Sequence, residues 1–182
     1  SDYLNGNLVV VGDKGNVIQL TADNGWKDIS IPGILTNLKG VAISSENSIF
    51  VIANNSTLWN YDGISWDEEI FDISNEFNSI SFLDSNNGLN GIIVGDSGLI
   101  LTTIDGGVNW EIIEIPEEIK DSNINSIDLF SSSKAYAITD SGEILISRNL
   151  ETSIGFDWDL VNADRITESE INFINIKVIN PL

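Results

Sequence analysis

The side chains of this sequence that could do chemistry are almost all carboxylates. The chain of 182 residues has 28 Asp and Glu but no Cys, His or Met. Without Cys and His it has no disulfide, thiol nucleophile, Ser-His-Asp triad, His-bound metal or Cys-bound zinc. Two carboxylates could hydrolyse a glycosidic bond, but the sequence marks no pair of them as special. We therefore predict that the protein is not an enzyme.

Calcium is the one cofactor that the acidic residues leave open. Asp121, Asn123 and Asn125 match the first three oxygen positions of an EF-hand-type loop. Ser126 then stands where such a loop needs Gly, and Ser132 stands where it needs Glu. We expect no cofactor and no metal site, with Ca²⁺ at this loop as the alternative.

The net charge restricts the class of partner. Only 8 Lys and Arg oppose the acids, so the formal charge is -20. Nucleic acid and anionic lipid both bind through Lys and Arg, so neither is an expected partner. No run approaches the roughly 20 apolar residues of a membrane-spanning helix, and we expect no membrane insertion. The expected partner is a protein, with a basic one favoured, in a larger assembly.

The ends and loops of the chain suggest where it resides. It starts at Ser1 and lacks Met, as a processed or excised chain would, and its loops are rich in Asn and poor in Lys. We therefore expect a secreted, periplasmic or cell-surface protein. Asn54 and Asn55 begin overlapping glycosylation sequons, which would be acceptors in an exported protein.

A repeat along the whole chain predicts the elements that position these side chains. Four Trp residues are separated by 40, 44 and 48 residues: Trp26, Trp66, Trp110 and Trp158. In phase with them, short apolar runs end in turns rich in Asp, Asn, Gly and Ser, such as 94–98 and 138–142. Each period contains four short β-rich segments and no sustained helical periodicity. Such periods are typical of propeller blades.

We therefore predict an all-β fold, a single β-propeller domain over residues 1–182 with four-stranded antiparallel blades. The approximate blade limits are 171–179 plus 7–31, 38–72, 77–115 and 123–161. Since the chain opens on a second strand and closes on a first strand, we expect the N- and C-terminal strands to pair and close a four-bladed ring. The alternative is part of a larger propeller of six to eight blades.

One turn of the third repeat carries a recognisable motif. Residues 103–110 read Thr-Ile-Asp-Gly-Gly-Val-Asn-Trp, which fits the Asp-box pattern Ser/Thr-x-Asp-x-Gly-x-x-Trp. The carboxylate can accept hydrogen bonds from turn N–H groups, Gly permits positive φ, and the Trp can fill the space between blades. We predict a structural turn motif at Asp23, Trp26, Asp62, Trp66, Thr103, Asp105, Gly107, Trp110 and Trp158.

With residues 82–88 and 95–98, this repeat resembles the BNR/Asp-box repeats of the photosystem II assembly and stability factor family. It is also similar to the Asp boxes of sialidases and sortilin-type receptors. The resemblance implies a propeller whose Asp boxes are structural and lie away from the ligand face. A sialidase clamps its substrate with three Arg residues, whereas this chain has only Arg148 and Arg165. The assembly factors carry a basic client patch, which a charge of -20 does not offer.

The remaining acids are predicted to gather on the face that holds the connections between blades. We expect a partner-binding face formed by Glu68, Glu69, Glu117, Glu118, Asp121, Asp164, Glu168 and Glu170. The predicted function is a non-catalytic protein-interaction or structural module, extracellular or in a larger assembly. The alternatives are an assembly chaperone of the photosystem II stability factor type, and a glycan-binding or glycosidase-like propeller.

Overall fold

The computed structural model describes residues 1–45, 47–83, 88–113, 115–131, 134–147, 158–162 and 173–178. In these ranges the chain forms sixteen β-strands and two 3₁₀ turns, Asp13–Gly15 and Glu117–Ile119. They contain no helix long and apolar enough to cross a membrane.

The strands form four antiparallel sheets, each following the order of the chain. Blade 1 contains β1 (Asp2–Leu4), β2 (Asn7–Val11), β3 (Val17–Thr21) and β4 (Gly25–Asp28). Blade 2 contains β5 (Leu38–Ser45), β6 (Ser48–Ala53), β7 (Thr57–Tyr61) and β8 (Trp66–Ile70). Blade 3 contains β9 (Phe77–Phe82), β10 (Gly91–Gly95), β11 (Ile100–Thr103) and β12 (Glu111–Ile112). Blade 4 contains β13 (Ile124–Ser131), β14 (Lys134–Thr139), β15 (Glu143–Ser147) and β16 (Trp158–Asn162).

The core consists of three clusters, each between two neighbouring blades. Val9 and Val17 of blade 1 pack with Val41 and Val51 of blade 2. Equivalent clusters join blades 2 and 3 and blades 3 and 4. The four blades therefore stand in one row. Because blades 2 and 3 are covered on both faces, their strands are apolar without strict alternation. The predicted all-β propeller with four-stranded antiparallel blades is confirmed.

The connections between blades lie on one side, the upper face, with the turns joining the second and third strands. There Leu38 N–H donates to Gly12 O, and Gly98 N–H donates to Ser122 O. The turns joining the third and fourth strands, which include the Asp boxes, lie on the opposite, lower face. The alternation of antiparallel strands therefore separates the two predicted groups of acids.

The structure differs from the prediction at the ends of the row. The inner strand of blade 1 is β1, which pairs with β2, where we expected residues 171–179. Residues 173–178 run beside β13 instead: Ile176 N–H donates to Ser126 Oγ and Val178 N–H to Asp128 Oδ2. Closure of a four-bladed ring is not seen and stays a prediction.

Candidate binding site

The Asp box of blade 3 is a closed hydrogen-bonded turn. Asp105 Oδ1 accepts from the backbone N–H groups of Val108 and Asn109 at 3.1 and 3.0 Å and from Thr103 Oγ1 at 2.8 Å. Asp105 Oδ2 accepts from Asn109 Nδ2 at 2.7 Å, and Gly107 N–H donates to Thr103 Oγ1. Bonds from the Asn109 side chain and backbone are the main cause that lowers the pKa of Asp105 to about 2.

The same turn places Trp110 against the preceding blade. Its ring lies edge-on to Phe50 and Phe82, with centroid distances of 6.4 and 5.9 Å. A Cβ on Gly107, whose φ is +88°, would lie 2.4 Å from the Phe50 ring. Trp110 Nε1 is buried without a hydrogen-bond partner in the described structure. This box therefore serves packing between blades 2 and 3.

The box of blade 2 is one residue shorter and makes fewer bonds. Asp62 Oδ1 accepts from the backbone N–H groups of Ile64 and Ser65, both at 2.8 Å. These bonds, that from Ser65 first, lower the pKa of Asp62. Trp66 Nε1 donates to Ile29 O at 2.7 Å, which attaches it to the end of blade 1.

The copies of the box in the two outer blades, 1 and 4, differ from each other. In blade 1, Asp23 is exposed, and Thr21 Oγ1 accepts from the Asn24 backbone N–H at 3.2 Å. Trp26 is 59% exposed, so the prediction that it fills a space between blades is not met. Trp158 of blade 4 is buried between blades 3 and 4. The residues just before Trp158 lie outside the described structure.

Five members of the predicted partner face lie among the described residues, and all five are exposed. Glu68 and Glu69 project from β8, and Glu117 and Glu118 form the 3₁₀ turn that precedes Asp121. Partial burial raises the pKa of the Glu69 carboxyl. The remaining members of the predicted face, Asp164, Glu168 and Glu170, lie outside the described residues.

Other acids of this face are held in hydrogen bonds that the sequence did not reveal. Glu76 bonds Lys39 Nζ at 2.9 Å and accepts from the Asn55 backbone N–H, which lowers the pKa of Glu76 against its partial burial. Asp96 accepts from Asn78 Nδ2 at 2.8 Å. The Glu76 bonds join blade 2 to the connection that follows it, and the Asp96 bond ties a turn of blade 3 to the inner strand of the same blade. Neither has a sequence signature of its own.

The proposed calcium loop is used in the same way. Asn123 donates to Asp140 through its backbone and side chain at 3.0 and 2.9 Å, and the Ser122 and Ser141 hydroxyls bond each other. Asn125 Nδ2 donates to Phe173 O. Among the described residues no group of three or more acids could hold a metal.

The inner strands enclose a cavity that the sequence gave no signal for. Its volume is about 940 Å³, and the lining is contributed by all four inner strands and residues 174–178. The charged side chains on it are Asp2, Lys39, Asp128 and Lys177. Lys177 Nζ pairs with Asp128 Oδ1 at 3.1 Å. The cavity thus carries two acidic and two basic side chains in a strongly acidic chain, and its Ser and Asn side chains are largely bonded within the protein.

A family model described as photosynthesis system II assembly factor YCF48 matches residues 18–169. Photosystem II stability/assembly factor HCF136, chloroplastic, of Arabidopsis thaliana is 28% identical over 120 residues, which cover 66% of this chain and 27% of that protein. Its counterpart in Oryza sativa subsp. japonica is 28% identical over 119 residues, covering 65% and 26%. The chain thus spans about a quarter of the length of these relatives.

Solved structures show the same fold. The structure of YCF48 bound to D1 peptide matches with a TM-score of 0.59 and 20% identity, covering 88% of this chain and 45% of that one. The computationally designed Ika8 protein matches with a TM-score of 0.71 and 15% identity, covering 98% and 52%. This chain therefore superposes on about half of each structure.

The comparisons correct one prediction. We expected a secreted, periplasmic or cell-surface protein, but the two curated relatives are chloroplastic assembly factors. Loops rich in Asn and poor in Lys therefore did not indicate export. The relatives are named as assembly factors and not as enzymes.

Proposed function

Because this chain belongs to the family of photosynthesis system II assembly factor YCF48, we propose that it is a non-catalytic propeller that binds a client polypeptide during photosystem II assembly. The observation that carries the proposal is the family match over residues 18–169. The relative bound to a D1 peptide supports a polypeptide as the ligand. The sequence alone favoured an unspecified interaction or structural module, and this proposal replaces it with the assembly-chaperone alternative.

The distribution of acids supports the upper face as the docking surface. Hydrogen bonds to neighbouring turns, strands or connections already hold Glu76, Asp96 and Asp140. The Glu117 and Glu118 side chains are exposed beside them. Exposed charges of one sign steer a partner of the opposite sign and set the salt dependence of binding. We therefore propose a client segment that carries Lys or Arg.

The test is binding of a labelled D1 peptide, followed by fluorescence anisotropy at two salt concentrations. A scrambled peptide of the same composition controls for charge alone. Replacing Glu117 and Glu118 with Gln should weaken binding roughly two- to thirtyfold, since exposed pairs contribute about 0.2–1 kcal/mol each. The matched control is Asp23→Asn with Glu111→Gln, which removes two exposed acids from other parts of the surface.

The possible outcomes test the proposed client function and the proposed docking surface separately. If neither peptide binds, or the scrambled peptide binds equally well, the client function is wrong. If the D1 peptide binds specifically but both double variants weaken it equally, the upper face is wrong and the client function stands. The glycan-binding and glycosidase alternatives gain no support from the relatives, which are named as assembly factors.

A further inference from the structure

The three connections between blades differ in charge along the row. The first connection, residues 29–37, contains no charged residue, and the second, residues 71–76, contains two acids. The third connection, residues 113–123, contains four acids and one Lys. Because all three lie on the upper face, this face has an uncharged end between blades 1 and 2 and an acidic end between blades 3 and 4.

The neighbouring side chains keep this difference. The charged side chains that adjoin the first connection are Asp13, Lys14 and Asp28. Asp28 Oδ1 already accepts from the Ser30 hydroxyl and backbone N–H. The exposed charged side chains of the third connection are Glu117, Glu118, Lys120 and Asp121. A basic segment is therefore attracted to the third connection far more than to the first.

The first connection carries an exposed apolar side chain on a fixed backbone. Leu35 is 81% exposed. The backbone on both sides of it is bonded to the turn of blade 1, since Ile31 N–H donates to Gly15 O at 2.9 Å and Gly15 N–H donates to Thr36 O at 3.1 Å. The adjacent Ile34 packs into the core between blades 1 and 2. Leu35 is thus held in place before a ligand binds, which lowers the entropic cost of binding there.

The second connection continues the apolar surface toward the acidic end. Phe71 and Ile73 are half-buried there, and Ile73 N–H donates to Phe71 O at 2.9 Å. Of its two acids, Glu76 pairs with Lys39, which leaves Asp72 as the exposed one. Apolar contacts and negative charge therefore follow one another along the upper face in a fixed order.

We propose that the client polypeptide lies along the three connections in one direction, with an apolar residue on Leu35 and its Lys or Arg on the exposed acids of the third connection. This inference rests on the proposed function and adds which segment a client must present. The first and third connections are two blades apart, which is about 20 Å for sheets packed about 10 Å from one another. An extended chain covers that distance in about six residues. The client segment therefore carries an apolar residue about six positions from its Lys or Arg.

The first test measures binding of the labelled D1 peptide by fluorescence anisotropy. Leu35→Ser should weaken binding roughly tenfold at both low and high salt, because it removes an apolar contact, which salt does not screen. Ile64→Ser is the matched control, since Ile64 is 89% exposed but lies in a turn of blade 2 on the lower face. It should bind like the wild type, and unchanged far-ultraviolet circular dichroism should show that both variants fold.

The outcomes of this test separate the anchor from the client function. If the peptide binds the wild type and Leu35→Ser weakens it no more than Ile64→Ser does, the role of Leu35 is wrong and the client function stands. A loss in Leu35→Ser that disappears at high salt would also contradict an apolar contact at this position. If the peptide does not bind the wild type, the client function and this inference are both wrong.

The second test measures the direction and uses the absence of Cys from the native chain. Two forms of the D1 peptide, each with one Cys added at a different end, are mixed with Leu35→Cys or Asp121→Cys under mild oxidation. Each form should give a disulfide with only one of the two variants, and the form whose Cys is nearer to Lys or Arg should link to Asp121→Cys. Ile64→Cys, the lower-face control, should link to neither form. Equal linkage of each form to both variants, the opposite assignment, or no linkage would overturn the proposed direction.

Discussion

The turns before Trp110 in blade 3 and before Trp26 in blade 1 have related sequences but different structures. Asp105 accepts hydrogen bonds from two backbone N–H groups, and Trp110 packs on Phe50 and Phe82. Asp23 is exposed, and Trp26 is 59% exposed. Similar residues therefore form a packed contact between blades at the turn of blade 3 and an exposed surface at the turn of blade 1.

Two physical differences explain the contrast. Asp105 precedes its Trp by five residues, which leaves a loop long enough to wrap around the carboxylate, whereas Asp23 precedes Trp26 by three. Trp110 also has blade 2 in front of it, while Trp26 has no blade before it in the structure. An Asp-box Trp therefore needs both its turn and a neighbour, and the predictions below separate these requirements.

The largest effect is expected from removing the packed Trp. Trp110→Ala should lower the free energy of unfolding by about 3–5 kcal/mol, because it leaves a cavity between blades 2 and 3. Trp26→Ala should cost less than about 1 kcal/mol, since most of that side chain already contacts water. Urea unfolding of dilute protein, followed by circular dichroism, measures both values.

In dilute protein, equal losses for the two variants would mean that Trp26 is packed within a single chain. The contrast between the two turns would then be wrong. Trp66→Ala is a useful third variant, since Trp66 also packs on a preceding blade and should resemble Trp110.

The next effect tests how closely the box approaches the neighbouring blade. Gly107→Ala should destabilise the protein by about 2–3 kcal/mol, because its Cβ would meet the Phe50 ring at 2.4 Å and its φ is +88°. Gly25→Ala carries the matching positive φ of +69° but meets nothing within 4 Å. Its cost should therefore be about 1 kcal/mol, the backbone contribution alone.

This pair of variants is compared by the same urea unfolding. Both carry backbone strain, so the difference between them reports the clash with Phe50. A cost for Gly25→Ala equal to that of Gly107→Ala would show that only positive φ matters. The close packing of the blade 3 turn on Phe50 would then have no energetic consequence.

A smaller effect is expected from the carboxylates themselves. Asp105→Ala should cost about 1–3 kcal/mol, since it leaves the N–H groups of Val108 and Asn109 without their acceptor. Asp23→Ala should change stability by less than about 0.5 kcal/mol, as expected of an exposed surface position. Thermal unfolding of the two variants side by side checks this, and a Tm shift for Asp23→Ala as large as that for Asp105→Ala would contradict it.

The propeller could be predicted from the sequence because the same markers recur in each of its four repeats. Four Trp residues and the turns in phase with them mark the blades, and the third repeat carried a complete Asp box. Asp105 makes the turn bonds and Trp110 the packing contacts that the local spacing predicts. Trp26 instead is largely exposed, because its burial depends on whether another blade stands before it, and no local pattern contains that information.

The contacts of the inner strands and those between turns and connections on the upper face could not be predicted from the sequence either. Glu76 bonds Lys39, 37 residues away, and Ser126 bonds Ile176, 50 residues away. Such pairs depend on the registers of different blades and not on a motif. Acids that look alike in the sequence therefore divide into structural ones, such as Glu76, and exposed ones, such as Glu117.

The smallest effect concerns the pH dependence of the same turn. Hydrogen bonds hold the pKa of Asp105 at about 2 in the folded protein, below its ordinary value of 3.8. A carboxyl with a lowered folded pKa stabilises the protein above its unfolded pKa, and this contribution is lost as the pH falls through the folded value. The free energy of unfolding should therefore decrease between about pH 4 and pH 2, and less steeply in Asp105→Asn than in the wild type.

Asp62→Asn should also flatten the curve, because the Ser65 and Ile64 N–H groups lower the pKa of Asp62. A wild-type slope in Asp105→Asn would mean that the turn bonds the neutral and charged carboxyl equally well, and the box would then differ from the turn of blade 1 in packing alone.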